Sequence, residues 1–518
     1  MDLVWIVLLT LLVIYIPIYI YVRSSEKAHE KGLLPYGPLI MIRTQWGLKM
    51  MDRLGKYKRF WNIFGLISVA VSFLLMFAIV SIVVIDMALL PKAINSTGLG
   101  IEYALAIPGL NPMLPLIYGI IGLVFAVVIH ELAHGFQSRA NDLRVDSSGI
   151  LYGVIPVGAF VEPNEEDVEK ASRKTKFHLY AAGITTNFIT AAVIFMMIFA
   201  SVGAVDCDYG DNPAVYAVTS DSEAYNINIP ATAIILGIGD NEIDSVDSFY
   251  NSIDNNGELK SYKLTYLYKG SETIIDNIVL GAVVSNVTEG SPASTLLSKG
   301  DQILALSADG NEWTYIDIPS DFTTYMHSTE PNTALHIKYG NPQTAETSEP
   351  MVGTVTLSKA ESGCGFLGIS TTLSGMTFTT PNLVLNTGIN PFYGDETVGD
   401  YAMSCISYIS APFQGFSPIP ADTQWWFECT FMDSGIFWII IQTLYWMFWL
   451  NLVLAVSNAL PAIPFDGGYV FSYGVDYILE KSGMRDEEKR SNITNRVTSF
   501  MSYMMIFAMV LILLVIIV

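Results

Sequence analysis

Charged residues are scarce in this chain of 518 residues, and their scarcity argues against an ordinary soluble protein. Asp, Glu, Lys and Arg together make up 15% of the sequence, whereas soluble domains average about 25%. Hydrophobic residues make up 51%, and the mean hydropathy is +0.42. The composition therefore predicts a membrane protein.

Basic residues are scarcest between positions 206 and 430, a region that is rich in Asp and Glu. The chain as a whole carries a formal net charge of −22. Because binding phosphate requires a basic face, this balance argues against nucleic acid as a partner. An acidic segment instead suits a well-solvated domain outside the membrane. Its few basic residues are Lys260, Lys263, Lys269, Lys299, Lys338 and Lys359.

Cysteine is also rare, and its spacing argues against a cysteine-based zinc site. Cys207, Cys364, Cys405 and Cys429 all fall in or beside the acidic region, and no two of them form a CxxC pair. One or two disulfides would be compatible with an oxidising compartment, but the sequence does not determine their pairing.

Long apolar segments are abundant. A helix needs about 20 mostly apolar residues to cross a membrane. The first apolar segment lacks the basic leader and cleavage motif of a signal peptide, so we expect it to be retained as a span. Six segments qualify, near 2–22, 62–90, 113–136, 178–203, 435–458 and 497–518.

The loops between these segments predict an orientation. Lys and Arg are concentrated in 23–59, 137–177 and 459–496, and cytoplasmic loops are enriched in these residues. The three loops alternate correctly with the six spans. Both termini and the acidic region are therefore predicted to be extracytoplasmic, in a multi-pass protein of the cell membrane.

The acidic region has short alternating runs bounded by Gly, Asn and Asp, which predict β-strands. Within it, residues 283–304 read VVSNVTEGSPASTLLSKGDQIL, and this segment resembles part of a PDZ domain. Residues 214–253 show the same pattern more weakly. The resemblance implies one or two PDZ-like modules in tandem that bind peptides or client proteins, and an unrelated small β-domain is the alternative.

The most specific motif is HELAH, formed by residues 130–134 inside an apolar segment. His130 and His134 lie at positions i and i+4 of a helix, so both imidazoles can bind one metal ion while Glu131 acts as a general base. A chance cluster is a weak alternative, because burying three ionisable side chains in a spanning helix is costly without a function.

A catalytic zinc ion needs a third protein ligand. Asp466 is the candidate, because it is the one ionisable residue in the segment NALPAIPFDGG, residues 458–468, directly after an apolar stretch. Pro461 and Pro464 interrupt the helix there, while Gly467 and Gly468 permit close approach of the backbone. Irregular backbone at membrane depth is tolerated where it lines a protein cavity, which suits a metal site.

HELAH on a spanning helix, together with Asn458, Pro461, Pro464 and the Asp466-Gly467-Gly468 triplet, resembles the site-2 protease family. The resemblance covers roughly 110–205 and 435–518, and bacterial and archaeal members carry a similar PDZ-like insertion. It implies that His130, His134 and Asp466 bind one Zn²⁺ ion and that Glu131 is the catalytic residue. This sequence departs from the family at Phe465, where Leu is usual.

Two further segments resemble the family. Gly183, Asn187 and Ala191 form a Gly-x-x-x-Asn-x-x-x-Ala pattern on the helix expected beside the zinc helix. Asn187 is predicted to support substrate binding or the metal site, and a purely interhelical hydrogen bond is the alternative. The segment 149–163 predicts strands, and the resemblance implies a membrane-associated β-structure beside the active site. From its position and pattern we expect an exposed strand edge there to capture an extended substrate by β-augmentation.

The predicted architecture is a polytopic α-helical membrane protein with about six spans and a β-rich extracytoplasmic insertion of one or two PDZ-like domains. Residues 1–110 would hold two N-terminal spans and a basic cytoplasmic loop, and 111–205 the first half of the catalytic core with HExxH and the membrane-associated β-segment. Residues 206–430 would form the PDZ-like tandem region, and 431–518 the second half of the core with the Asp-Gly-Gly motif.

The predicted function is an intramembrane zinc endopeptidase that cleaves transmembrane segments of membrane-anchored proteins in regulated intramembrane proteolysis. Its partners would be transmembrane protein substrates and the lipid bilayer. Asn458, Pro461, Pro464, Gly467 and Gly468 would bind substrate or support the site. The alternatives are a non-catalytic PDZ-containing membrane scaffold or pseudoprotease, and a transporter that uses the polar residues as an ion path.

Overall fold

The protein is described by a computed structural model. It describes residues 3–517, apart from positions 46, 94–107, 109, 110, 112, 113, 154, 155, 221, 343–348, 361, 362, 390, 391, 393–396 and 412–418. The chain divides into two compact units. The first comprises Met1–Ala200, Cys405–Ser417 and Gly435–Val518, and the second comprises Ser201–Ser404 and Pro418–Ser434.

The first unit is mainly helical, as the apolar segments predict. Among the described residues, five helices are long and apolar enough to cross a membrane: α4 (Lys58–Ala93), α5 (Leu116–Ala140), α7 (Arg173–Ala200), α13 (Ser434–Asn458) and α15 (Glu487–Ile517). The side chains of α1 (Leu3–Ser24) are described from Leu9 onward, and Leu9–Ser24 counts as a shorter apolar helix. The predicted class, a polytopic helical membrane protein with about six spans and a β-rich insertion, is confirmed, with five or six candidate membrane helices. The helices of this unit are α1 (Leu3–Ser24), α2 (Glu26–Glu30), α3 (Leu48–Gly55), α4 (Lys58–Ala93), α5 (Leu116–Ala140), α6 (Glu165–Lys170), α7 (Arg173–Ala200), α13 (Ser434–Asn458), α14 (Asp466–Lys481) and α15 (Glu487–Ile517).

Small polar residues line the contact between α4 and α7. Ser68 and Ser72 of α4 and Thr185 of α7 are fully buried. Thr185 Oγ1 donates a hydrogen bond to the carbonyl oxygen of Ser68 at 3.3 Å. Small side chains let helix backbones approach closely inside a membrane, where packing and interhelical hydrogen bonds drive association.

A four-stranded antiparallel sheet belongs to the same unit, in the order β1-β2-β3-β4. Its strands are β1 (Leu33–Tyr36), β2 (Leu39–Thr44), β3 (Val145–Tyr152) and β4 (Pro156–Pro163). The predicted strands in 149–163 are therefore present as β3 and β4. The hairpin of β1 and β2 was not predicted, because its strands are short and lie in a basic loop.

The second unit contains a large sheet made of two matching halves. One half has the strand order β10-β9-β7-β6-β19, and the other continues as β18-β11-β12-β14-β15. The strands of the unit are β5 (Val205–Asp206), β6 (Ala214–Val218), β7 (Ile234–Ile238), β8 (Asn241–Glu242), β9 (Ser261–Tyr268), β10 (Ser271–Val279), β11 (Ala282–Val287), β12 (Gln302–Ser307), β13 (Thr314–Tyr315), β14 (Ala334–Gly340), β15 (Met351–Thr356), β16 (Ser358–Lys359), β17 (Gly365–Phe366), β18 (Ile369–Leu373), β19 (Met376–Thr379) and β20 (Glu428–Cys429).

Each half packs one longer helix and a short helical turn against its strands. Each also has its own hydrophobic core, one around Phe249 and Leu264, the other around Ile303 and Leu335. The helices of the two halves are α8 (Glu223–Asn226), α9 (Val246–Asn251) and α10 (Pro319–His327), and a 3-10 turn covers Pro292–Thr295. Two helices follow the sheet in the chain: α11 (Pro381–Ile389), and α12 (Val398–Ser410), which has residues in both units.

The two halves repeat the same backbone contacts. In the first, Thr219 N–H donates to the carbonyl oxygen of Gly375 at 2.8 Å, and in the second, Thr288 N–H donates to that of Gly368 at 2.8 Å. Both glycines have positive φ. These matches show a duplicated β-module, which supports the expected tandem. That the modules are PDZ domains stays a prediction. None of the four cysteines forms a disulfide in the structure.

Candidate metal centre

HELAH lies in the C-terminal half of α5. The sequence predicts that this end of the helix faces the cytoplasm. His130 and His134 are 6% and 8% exposed, so both imidazoles are buried. Their Nε2 atoms lie 3.2 Å apart. The i, i+4 spacing of the motif therefore brings the two nitrogens to one point, as the sequence predicts.

Asp466 is the first residue of α14. Its Oδ2 atom lies 3.1 Å from His130 Nε2 and 3.2 Å from His134 Nε2. Oδ2 is buried and has no hydrogen-bond partner among the described residues. Among the described residues, His130, His134 and Asp466 form the one cluster of metal-binding side chains that could hold a metal ion.

The geometry fits zinc. Zinc bonds of about 2.0–2.2 Å to nitrogen and oxygen place tetrahedral ligand atoms about 3.3–3.6 Å apart, close to the three distances observed. Two imidazole lone pairs and a carboxylate oxygen so close together would repel one another without a cation between them. Three protein ligands leave the fourth position for water or substrate, which is the arrangement of catalytic zinc sites.

The chain holds Asp466 in place through the turn between α13 and α14. Pro461 and Pro464 lie in this turn, after α13 ends at Asn458, whose Nδ2 donates to the carbonyl oxygen of Leu454 at 3.0 Å. The N–H of Ile463 donates to Ser502 Oγ on α15 at 3.0 Å. Irregular backbone at membrane depth needs such internal partners where no water reaches it.

Gly467 and Gly468 explain how α14 can begin so close to that turn. A Cβ atom at Gly467 would overlap the backbone of Ala459, and one at Gly468 would overlap the backbone of Ala462. The absence of a side chain at both positions therefore lets the helix carrying Asp466 pack directly against the turn.

His134 is oriented by a backbone group of α7. Its Nδ1 atom lies 2.8 Å from the carbonyl oxygen of Leu179. A carbonyl only accepts, so Nδ1 carries the proton and Nε2 offers its lone pair to a metal ion. The Nδ1 of His130 is buried without such a partner among the described residues.

Gly183 of α7 makes room for the ligands. A Cβ atom there would lie 2.6 Å from His130 Cε1 and 2.6 Å from His134 Nε2. The sequence indicated Gly183 only as a site of close helix packing. Asn187 follows one turn later, is fully buried, and has no hydrogen-bond partner for either amide atom among the described residues.

Glu131 is positioned by a backbone group of the four-stranded sheet. Its Oε2 accepts a hydrogen bond from the N–H of Val161 on β4 at 2.9 Å. Glu131, His134, Val161, Leu179, Tyr180 and Asp466 line one cavity of about 550 Å³. The sequence did not predict the roles of Leu179 and Val161, because both act through backbone atoms. It also did not predict that Tyr180 lines the cavity.

Comparisons with known proteins agree with this site. The sequence model described as peptidase family M50 matches residues 118–506, which is most of the chain. The chain is also 35% identical over 192 residues to an uncharacterized protein of Methanocaldococcus jannaschii, a match that covers 36% of this chain and 49% of that protein. The chain thus spans about half the length of this relative. The match over most of the sequence, together with the His-His-Asp metal group, shows that the chain belongs to peptidase family M50.

Proposed function

We propose that this protein is a zinc metalloendopeptidase that cleaves membrane-spanning segments of other proteins. The observation that carries the proposal is the convergence of His130, His134 and Asp466 beside Glu131, with both histidines on α5, a helix long enough to span a membrane. Placing four ionisable side chains there, two of them buried and two partly buried, is costly without a function.

The residues of the site have two roles, metal binding and proton transfer. His130 Nε2, His134 Nε2 and Asp466 Oδ2 would hold the metal ion. When bound there, zinc supplies a Lewis acid and lowers the pKa of bound water to about 7. Glu131 takes a proton from the attacking water at its carboxylate while the water oxygen bonds to the carbonyl carbon of the substrate. It then returns that proton to the leaving amine nitrogen as the C–N bond breaks. The Val161 N–H keeps the Glu131 carboxylate turned towards the cavity.

The sheet supports capture of an extended substrate. β4 has β3 on one side and no strand on its other side among the described strands. A helical substrate has its backbone groups already paired and must unwind before it is cut. Pairing with the free edge of β4 would supply the lost hydrogen bonds and hold the chain beside Glu131.

The topology supports a role in regulated intramembrane proteolysis. The basic loops predict that both termini and the β-rich unit are extracytoplasmic and that cleavage occurs near the cytoplasmic side. The duplicated modules would act as PDZ-like filters that bind peptides or exclude substrates whose outer domains are intact. Asn187 and Asn458 would support substrate or the metal site.

The proposal is tested with the full-length protein in detergent and a single-span model substrate. We expect about one zinc ion per chain in the wild type. Glu131→Gln should keep zinc and lose at least about a hundredfold in cleavage rate, since it removes a general base. Asp466→Asn should weaken zinc binding. Glu162→Gln, at a carboxylate that is ion-paired with Arg43 outside the cavity, is the matched control and should cleave normally.

A wild type that binds no zinc, or a Glu131→Gln variant that cleaves as fast as the wild type, would overturn the proposal. Binding of client proteins by the outer modules in the absence of any cleavage would favour the scaffold or pseudoprotease. Zinc-independent ion flux through the protein in vesicles would favour the transporter.

A further inference from the structure

A second, apolar cavity lies beside the candidate metal centre. Its volume is about 100 Å³, and its lining is almost entirely apolar. α5, β3 and β4 all contribute to it, so it lies wholly within the helical unit. Its walls include Leu123, Val124, Val127 and Val128 of α5, Ile150 of β3 and Ala159 of β4.

The cavity adjoins Glu131 along two separate elements. Val127 and Val128 precede Glu131 by four and three residues, so they lie on the same side of α5, about one 5.4 Å turn away. On β4, Ala159 lies two residues from Val161, which donates its N–H to Glu131. Ala159 is therefore about 7 Å along the strand from the residue that binds the Glu131 carboxylate.

The edge of β4 connects the two cavities. Val161 directs its N–H away from β3 and towards Glu131. Because backbone groups alternate along a strand, Ala159 also directs its N–H and C=O to the free edge. Ile150 is the β3 partner of Ala159, so their side chains share one face of the sheet and both line the cavity.

We propose that this cavity is a specificity pocket that takes an aliphatic side chain of the substrate strand, one to three residues from the scissile bond. The inference rests on the proposed proteolytic function and deepens it. The N–H of Val161 is already bound to Glu131, but the N–H and C=O of Ala159 point to the same edge beside the cavity. The occupant is a peptide because these groups need hydrogen-bond partners, which a lipid acyl chain cannot supply. An extended peptide supplies both those groups and a side chain for the cavity.

The volume sets the size of that side chain. An apolar cavity of about 150 Å³ in another protein holds a benzene molecule. The smaller cavity here should therefore accept Ala, Val or Leu and reject Phe and Trp. A branched or straight aliphatic side chain would also leave no polar atom unpaired among the apolar walls.

The test measures kcat/KM for model substrates that carry Gly, Ala, Leu, Phe or Trp at each of three positions on either side of the cleaved bond. At one position, the wild type should cleave Ala and Leu substrates at least tenfold better than Phe and Trp substrates. Ala159→Leu should fill the cavity and shift the preference at that position to Gly and Ala. Ala159→Val is the milder form of the same change.

The reverse change should widen the preference. Ile150 is 44% exposed, so Ile150→Ala should fold normally, enlarge the cavity and raise cleavage of the Phe substrate at least fivefold. Ile121→Ala is the matched control, because Ile121 lies on α5, is 43% exposed and does not line the cavity. It should leave the profile unchanged. Zinc content reports whether each variant folds.

The outcomes distinguish a failure of the proteolytic function from a failure of the specificity pocket. If the wild type cleaves no substrate, the proposed function fails and the specificity pocket falls with it. If the wild type cleaves but Ala159→Leu, Ala159→Val and Ile150→Ala keep its profile at all six positions, proteolysis stands and the pocket is overturned. The cavity would then be a space filled by lipid.

Discussion

The Nδ1 atom of His134 donates a hydrogen bond to the carbonyl oxygen of Leu179 at 2.8 Å. This bond ties the metal-binding helix α5 to α7 through a ligand itself. α7 also supplies Gly183, which leaves space for both imidazoles. The position of α7 relative to α5 thus governs the metal centre, although α7 contributes no ligand.

Gly183→Ala should reduce zinc affinity at least about tenfold, because its Cβ would lie 2.6 Å from His134 Nε2 and displace the ligand. Metal titration with a competing chelator measures the effect. Gly474→Ala on α14 is the control, since its Cβ comes no closer than 3.2 Å to a flexible Phe73 side chain. Equal zinc affinity in the two variants would show that Gly183 does not shape the site.

Val161→Pro should lower kcat at least about tenfold with unchanged zinc content, because proline lacks the N–H that Glu131 accepts. Proline is tolerated on edge strands, so β4 should persist. Val161→Ala keeps the N–H and should behave like the wild type. If both variants lose activity equally, the side chain of Val161 rather than its N–H matters.

Arg173→Gln should lower Tm by several degrees. Arg173 pairs with Asp476 at 2.6 Å and with Glu480 at 2.5 Å, and Asp476 also pairs with Arg490 at 2.7 Å, so these charges tie α7 and α15 to α14, the helix that carries Asp466. Removing one member of a partly buried network leaves its partner charges unpaired. Lys170→Gln, which breaks an exposed pair, should change Tm little. Thermal unfolding in detergent would show the difference.

Asp167→Asn should weaken the attachment of α6 to Arg144, and the effect should depend on pH. Hydrogen bonds from Arg144 lower the pKa of the Asp167 carboxyl to about 2. A carboxyl whose pKa is lower in the folded state stabilises the fold above its ordinary pKa of about 3.9, and the contribution is lost as the pH falls through 2. The Tm difference between wild type and Asp167→Asn should therefore be present at pH 6 and vanish near pH 2. A difference that persists at pH 2 would exclude this cause.

Gly368→Ala and Gly375→Ala should destabilise the β-rich unit by similar amounts. Both glycines have positive φ, and a Cβ atom would overlap Ser291 at the first and Ser222 at the second. Gly290→Ala and Gly300→Ala are controls that share the positive φ without the overlap. Limited proteolysis of the full-length protein measures the effect. A large loss in only one of the first two variants would argue that the halves are not equivalent.

The sequence predicts the metal group well because its signals are local. The i, i+4 spacing of His130 and His134 and the interrupted helix before Asp466 each have a direct structural meaning. Long apolar runs likewise predict the spanning helices. The strands in 149–163 are visible because Gly and Pro exclude a long helix there.

Other features depend on contacts between distant segments. The partners of His134 and Glu131 are the backbone carbonyl of Leu179 and the backbone N–H of Val161, and any residue can supply such groups. The hairpin of β1 and β2 exists because β2 pairs with β3, more than a hundred residues later. The two halves of the second unit share their strand order and backbone hydrogen bonds, but their sequences resemble each other only weakly.

β4 runs in one direction, from Pro156 to Pro163, and an antiparallel partner must run in the opposite direction. At the opposite edge of the sheet, α1 packs against the hairpin of β1 and β2, and Tyr15 donates its hydroxyl to the carbonyl oxygen of Pro38 at 2.7 Å. Under the proposed pairing, the protease would therefore admit substrate chains with one polarity. Single-span proteins with their amino termini on opposite sides of the membrane would present opposite polarities, so topology would select substrates before side chains do.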